Sequence, residues 1–178
     1  MSEYEDRGTP VKIELIHPDV IIPSYKHAGD SGMDVRAFFS DEWLSNQFPD
    51  TKGEKNRSTI IHPGQRQIIP TGIKVAIPVG YEIQVRPRSG LAIKEGLTVL
   101  NTPGTIDAGY RGEIGVILVN TNDYSNASPE GDSVTVSHGD RIAQLVLQKV
   151  PNLKWEFVDS VENDSTRAEG GFGSTGTS

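Results

Sequence analysis

The sequence predicts an all-β fold, and three observations carry that reading. Short apolar segments recur between turn signals. Nineteen glycines and eleven prolines are spread through 178 residues. Long helical periodicity is absent. The length suits one domain, taken as residues 1–178.

In chain order, the first predicted strand is "VKIEL", Val11 to Leu15. Residues 40–58 ("SDEWLSNQFPDTKGEKNRS") are polar and read as an inserted segment. Trp43, Leu44 and Phe48 are scattered through it, either packed on the core or docking a partner protein. "QRQIIP" (Gln65 to Pro70) and "GIKVAIP" (Gly72 to Pro78) read as two strands. "YEIQVRP" is the clearest alternating strand, with Tyr81, Ile83 and Val85 on one face and Glu82, Gln84 and Arg86 on the other. "RSGLAIKEG" alone reads as helical, two turns at most, with Ser89 as its cap and Gly96 as its stop. "EIGVILVN" (Glu113 to Asn120) is apolar on both faces and reads as a central strand. "NTNDYSNASPEGD" (Asn120 to Asp132) reads as a polar loop. "DSVTVS" (Asp132 to Ser137) and "RIAQLVLQKV" (Arg141 to Val150) complete the strands. Residues 162–178 carry only Ala168 and Phe172 as apolar side chains. One phenylalanine returns less free energy than ordering such a segment costs, so a flexible C-terminal arm is expected unless a ligand helps.

Composition excludes several classes of function. The chain has no cysteine, which removes disulfides, zinc–thiolate sites and cysteine nucleophiles. The polar start "MSEYEDRGTP" lacks the apolar stretch of a secretory leader, and no apolar run reaches membrane-spanning length. A soluble, intracellular (cytoplasmic) protein is expected. The net charge of −7 argues against broad nucleic-acid binding, because such affinity comes mainly from neutralised phosphates. It leaves room for a small phosphate ligand, since a few arginines make a positive pocket on an acidic protein. The four histidines show no metal spacing. Neither a G-x-G-x-x-G dinucleotide fingerprint nor a G-x-x-x-x-G-K-[ST] loop is present.

Five stretches carry candidate chemistry. In "PRSGLA", Arg88, Ser89 and Gly90 read either as a phosphate cradle or as an ordinary capped helix start. "NTPGTIDAGYRGEIGV" (Asn101 to Val116) reads as a tight hairpin with Asp107 between two apolar arms. That carboxylate is either a general base on water or a turn aspartate bonding its own backbone. In "AGDSGMDVRA", Asp30 and Asp34 are oxygen donors suited to Mg²⁺, or else turn and strand-start residues. "GDRIAQLVL" places the polar Gln144 inside an apolar strand, where its amide needs partners from a ligand or from neighbouring backbone. "RAEGGFGSTG" (Arg167 to Gly176) is a solvated tail or a flap closing over an anion.

In this order, the five stretches resemble the five motifs of the trimeric, all-β dUTPases, from about Val11 to Gly176. The resemblance implies a distorted β-barrel or jelly-roll in a homotrimer, with each active site built from all three subunits. It implies hydrolysis of dUTP to dUMP and pyrophosphate with Mg²⁺, which limits uracil incorporation into DNA and supplies dUMP for thymidylate synthesis. Asp107 would be the general base. Asn101 and Gly104 would read the uracil edge, and Tyr110 would pack on the deoxyribose. Arg88, Ser89, Gly90 and Gln144 would hold the phosphates, and Asp34 would hold waters of the Mg²⁺. The terminal arm would reach a neighbouring subunit's site. There Phe172 would stack over uracil, Arg167, Ser174 and Thr175 would bind the γ-phosphate end, and Gly173 would also contact the substrate. Residues 40–58 and 120–132 are longer than the family's usual links, and neither interrupts a motif. A dCTP deaminase of the same fold is disfavoured by the intact Asn101 to Gly112 stretch and the complete flap motif. A dUTP-binding sensor using the same site is the alternative function.

Overall fold

The computed structural model describes residues 8–47, 57–123 and 132–161. Among these, ten strands and two short helices follow in order: β1 (Lys12–Leu15), β2 (Met33–Arg36), α1 (Asp41–Gln47), β3 (Ser58–Ile61), β4 (Arg66–Ala76), β5 (Tyr81–Arg86), α2 (Ser89–Glu95), β6 (Leu97–Val99), β7 (Gly104–Ile106), β8 (Glu113–Asn120), β9 (Val134–Ser137) and β10 (Arg141–Lys149). The fold is all-β. Two four-stranded sheets, ordered β1-β4-β8-β6 and β2-β10-β5-β7, and a β3-β9 pair are antiparallel throughout. Alternation along each strand sends one set of side chains inward. Ile69, Ile73, Ile114, Val116 and Leu118 from the first sheet meet Val35, Ile83, Val85, Ala143 and Leu145 from the second in one apolar cluster.

Several elements differ from the sequence reading. Within Gln65 to Pro78, Arg66–Ala76 forms one long strand rather than two. Its register against β8 shifts between Pro70 and Lys74, where Gly72 takes φ 74°. The bulge frees two backbone N–H groups, and the Glu113 carboxylate accepts both, from Thr71 at 3.1 Å and from Gly72 at 2.6 Å. A side chain at Gly72 would strike Val20 and the Phe38 ring, so the bend needs glycine on steric and conformational grounds.

The polar segment after Ser40 is not wholly a loop, since it opens with helix α1. The Ser40 hydroxyl accepts the Trp43 N–H at 3.0 Å, a helix-start bond from a residue just before the acidic first turn. Trp43 stacks on the fully buried Phe39 at 4.5 Å between ring centroids, and Leu44 packs on the same core. Trp43 therefore serves packing; Phe48 lies outside the described residues. In α2, Ser89 is the first helical residue and not the cap. Arg88 occupies that place in extended conformation, with no side-chain capping bond. Gly96 ends the helix in the left-handed region as expected, its N–H reaching Leu91 O. The strands β2, β3, β6 and β7 are three or four residues each, too short to show periodicity.

Candidate active site

The two arms of the Asn101 to Val116 stretch do not pair with each other, contrary to the expected tight hairpin. Gly104–Ile106 joins the second sheet beside β5, with Gly104 opposite Val85. Glu113–Asn120 joins the first sheet between β4 and β6. Residues 100–112 thus bridge the two sheets. Gly104 is buried, and a Cβ there would meet the Asn101 amide at 3.1 Å and Val85 at 3.4 Å. Asn101 and Gly104 are therefore neighbours in space. Asp107 is exposed, and its backbone carbonyl accepts the Tyr110 N–H at 3.0 Å. The Tyr110 hydroxyl donates to Glu113 O at 2.9 Å, which lays the ring over Gly112. Arg111 Nη1 donates to the carbonyls of Ala108 and Tyr110, both at 2.7 Å, and pins the turn that carries Asp107.

A second group forms on the outer face of the second sheet. Antiparallel register sets Asp34, Gln144 and Arg86 side by side on β2, β10 and β5. Asp34 Oδ1 accepts from Arg88 Nε at 3.0 Å and from Gln144 Nε2 at 3.4 Å. Asp34 Oδ2 accepts from Arg141 Nη1 at 3.0 Å. Arg88 Nη1 also donates to the Arg141 carbonyl at 3.0 Å. Arg36 lies opposite Arg141 on β2. Two arginines thus hold one carboxylate, with Arg86 and Arg36 at neighbouring register positions, on a chain of net charge −7, a local positive field suited to a polyanion. The exposed Ser89 and Gly90 follow Arg88 directly.

The sequence reading found Asp34, Arg88 and Gln144, and the structure joins them. It passed over Arg141, whose only signal is its place in "GDR" at the head of β10. No hydrogen bond links this group to the Asp107 turn among the described residues. Ile106, just before Asp107, pairs with Ile83, about 10 Å along β5 from Arg86. Arg167, Phe172, Gly173, Ser174 and Thr175 lie outside the described residues.

Among the described residues no three acidic or histidine side chains converge to hold a metal ion. Mg²⁺ keeps most of its water and takes one or two carboxylates together with substrate phosphates. Asp34 fits that pattern only through water, because guanidinium groups already occupy both its oxygens. No helix among the described residues is long and apolar enough to cross a membrane.

Comparison with known proteins agrees with this architecture. Residues 55–176 match the dUTPase family model. A deoxyuridine 5'-triphosphate nucleotidohydrolase of Picosynechococcus sp. is 46% identical over 167 residues, covering 94% of this chain and 99% of that protein. One from Desulfotalea psychrophila is 48% identical over 155 residues, covering 87% of each. Among solved structures, the Staphylococcus bacteriophage 80alpha dUTPase with dUPNHPP superposes with a TM-score of 0.77 at 25% identity, covering 96% of this chain and 100% of that one. A dUTPase mutant from phage phi11 of S. aureus, described with a structural Mg(II) ion, gives 0.66 at 22% identity over 85% of this chain and 98% of that one. With near-complete coverage at this identity, and with the same all-β frame, the chain belongs to the dUTPase family.

Proposed function

We propose that this dUTPase hydrolyses dUTP to dUMP and pyrophosphate by attack of water on the α-phosphorus. The observation that carries the reading is the Asp34–Arg88–Arg141–Gln144 group, an arginine-rich surface on an acidic protein. Phosphoryl transfer needs mainly positioning and charge neutralisation, which such a group supplies. Asp107 takes the proton from water. The water oxygen bonds to the α-phosphorus as the bond to the bridging oxygen breaks, and pyrophosphate leaves with that oxygen. Asn101 and the backbone at Gly104 read the uracil edge, and Tyr110 closes on the deoxyribose. Arg88, Ser89, Gly90 and Gln144 hold the phosphates. Asp34 would hold a Mg²⁺ through water, and the ion, when bound with the triphosphate, would supply charge neutralisation there.

The separation between Asp107 and the arginine group within one chain supports a site completed by further copies, a homotrimer. Arg167, Phe172, Gly173, Ser174 and Thr175 would come from a neighbouring copy and cover the nucleotide. In this reading residues 1–178 work as one catalytic domain with a terminal arm. Restricting uracil in DNA and supplying dUMP follow from the reaction.

The test is pyrophosphate release from dUTP, dTTP, dCTP and UTP with Mg²⁺. Release from dUTP alone, abolished in Asp107→Asn while nucleotide binding persists, is the expected outcome. Wild-type turnover in that variant would remove Asp107 from its role.

A further inference from the structure

We infer that Arg141 is a positioning residue: with Asp34 it locks the Arg88 guanidinium into the orientation that meets the polyphosphate. The inference rests on the hydrolase reading above and assigns a task to a side chain that reading does not use.

The argument starts from strand geometry. In a regular strand, residues i and i+2 share a face. Arg141 and Gln144 are three apart, so regular alternation would put them on opposite faces. The ladder between β10 and β2 is irregular at this point. Arg141 pairs with Arg36 and Ala143 with Val35, which leaves Ile142 as one extra residue. Ile142 and Ala143 are both buried in the core, at 2% and 0% exposure. Two consecutive residues therefore face inward, and Arg141 is returned to the outer face beside Gln144 and Asp34. A bulge beside a working site commonly re-aims one side chain in this way.

The bond pattern shows what the re-aimed residue does. Arg88 is held at two points, one through the carboxylate that the Arg141 side chain shares and one on the Arg141 backbone carbonyl, which a substitution at 141 leaves in place. Its Nε is on Asp34 Oδ1, while Arg141 Nη1 grips Oδ2 of the same carboxylate. Its Nη1 is on the Arg141 carbonyl. A guanidinium has a rigid fork of donors. With Nε and Nη1 tied, the guanidinium plane is fixed, and Nη2 makes no hydrogen bond among the described residues. Asp34 is one-quarter exposed and Arg88 about one-fifth, so the pair is partly shielded from water. Removing Arg141 would free one oxygen of Asp34, loosen Arg88 and leave less cancelled negative charge beside the phosphates.

The test is a double-mutant cycle on the full-length chain, read by calorimetric binding of the imido analogue dUpNHpp and of dUMP, with Mg²⁺. Arg141→Ala should weaken dUpNHpp binding by roughly tenfold, as expected of residues in one charged network. Binding of dUMP, which lacks the two outer phosphates, should stay unchanged. In an Asp34→Asn background, Arg141→Ala should cause no further loss, because Arg141 acts through that carboxylate. Arg141→Gln, which keeps a donor for Asp34 but no charge, should recover most of the affinity. Additive losses, an equal loss for dUMP, or a glutamine variant as weak as alanine would overturn the assignment. Failure of the wild type to release pyrophosphate from dUTP would refute the hydrolase reading instead, while the coupling in analogue binding would still decide the role of Arg141.

Discussion

Gly112→Ala is a one-carbon change that tests how the chain positions Tyr110. A Cβ at Gly112 would lie against the Tyr110 hydroxyl, 2.6 Å from Cζ and 3.1 Å from Cε2. Ordinary carbon contacts sit at about 3.5–4.0 Å, so the ring must move by about 1 Å. Tyr110 is 43% exposed, and its one side-chain bond is the 2.9 Å hydrogen bond to Glu113 O. Giving up that bond costs about 1 kcal/mol at a wet site. For a chain of this size that lowers Tm by about 2–4 °C. The functional effect is larger, because a displacement of about 1 Å at a reacting site can cost up to about a hundredfold. If Tyr110 closes on the deoxyribose, the ratio of kcat/KM for dUTP over UTP should fall by about tenfold or more, with Tm lower by only those few degrees. Tyr110→Phe, which keeps the ring in place without its hydroxyl, should fall less. Unchanged sugar discrimination in a folded Gly112→Ala variant that shows the expected Tm loss would refute the placement of Tyr110 against the sugar.

Two predictions concern stability. Asn120 is fully buried at the end of β8. Its amide donates to Ile61 O at 2.9 Å and Asp132 O at 2.8 Å, and its oxygen accepts the Asn122 N–H at 3.0 Å. Asn120→Ala leaves a buried carbonyl unpaired and should cost about 2–3 kcal/mol. Asn120→Asp should cost more, because an acceptor would then face two carbonyls. Urea midpoints at fixed protein concentration check both, and an aspartate variant as stable as wild type would disprove the donor assignment. His138 has its pKa lowered from 6.5, first by burial and then by the charge of Arg57. The Phe39 N–H donates to its Nδ1 at 3.1 Å, which needs an unprotonated nitrogen. Between the lowered native value and 6.5, the unfolded chain binds more protons, so stability rises with pH. The contribution is fully present above 6.5 and is lost as pH falls below it. His138→Gln should therefore show a shallower loss of Tm than wild type on acidification from neutrality, and parallel curves would contradict the assignment.

Much of the fold was legible because its signals are local. Alternation marks β5, an apolar run marks β8, and Gly96 marks the end of α2; each depends on residues within a few positions of one another. Composition alone excluded thiol chemistry. The order of five motifs identified the family before any contact was known. What escaped was decided by partners distant in sequence. The short strands β3, β6 and β7 exist because neighbouring strands pair with them. Helix α1 is anchored by the stack of Trp43 on Phe39, a packing role the sequence left open beside partner docking, and the helix itself went unread in a polar segment. The bend at Gly72 is held by the carboxylate of Glu113, 41 residues away. Arg141 shows the limit most clearly. Its identity is plain in "GDR", but its direction depends on one extra residue in the β10 ladder, and its two partners lie 107 and 53 residues away. Sequence determined which donors and acceptors this protein has. Only tertiary structure, through strand register and the bulge at Ile142, decided that two arginines would close on one carboxylate.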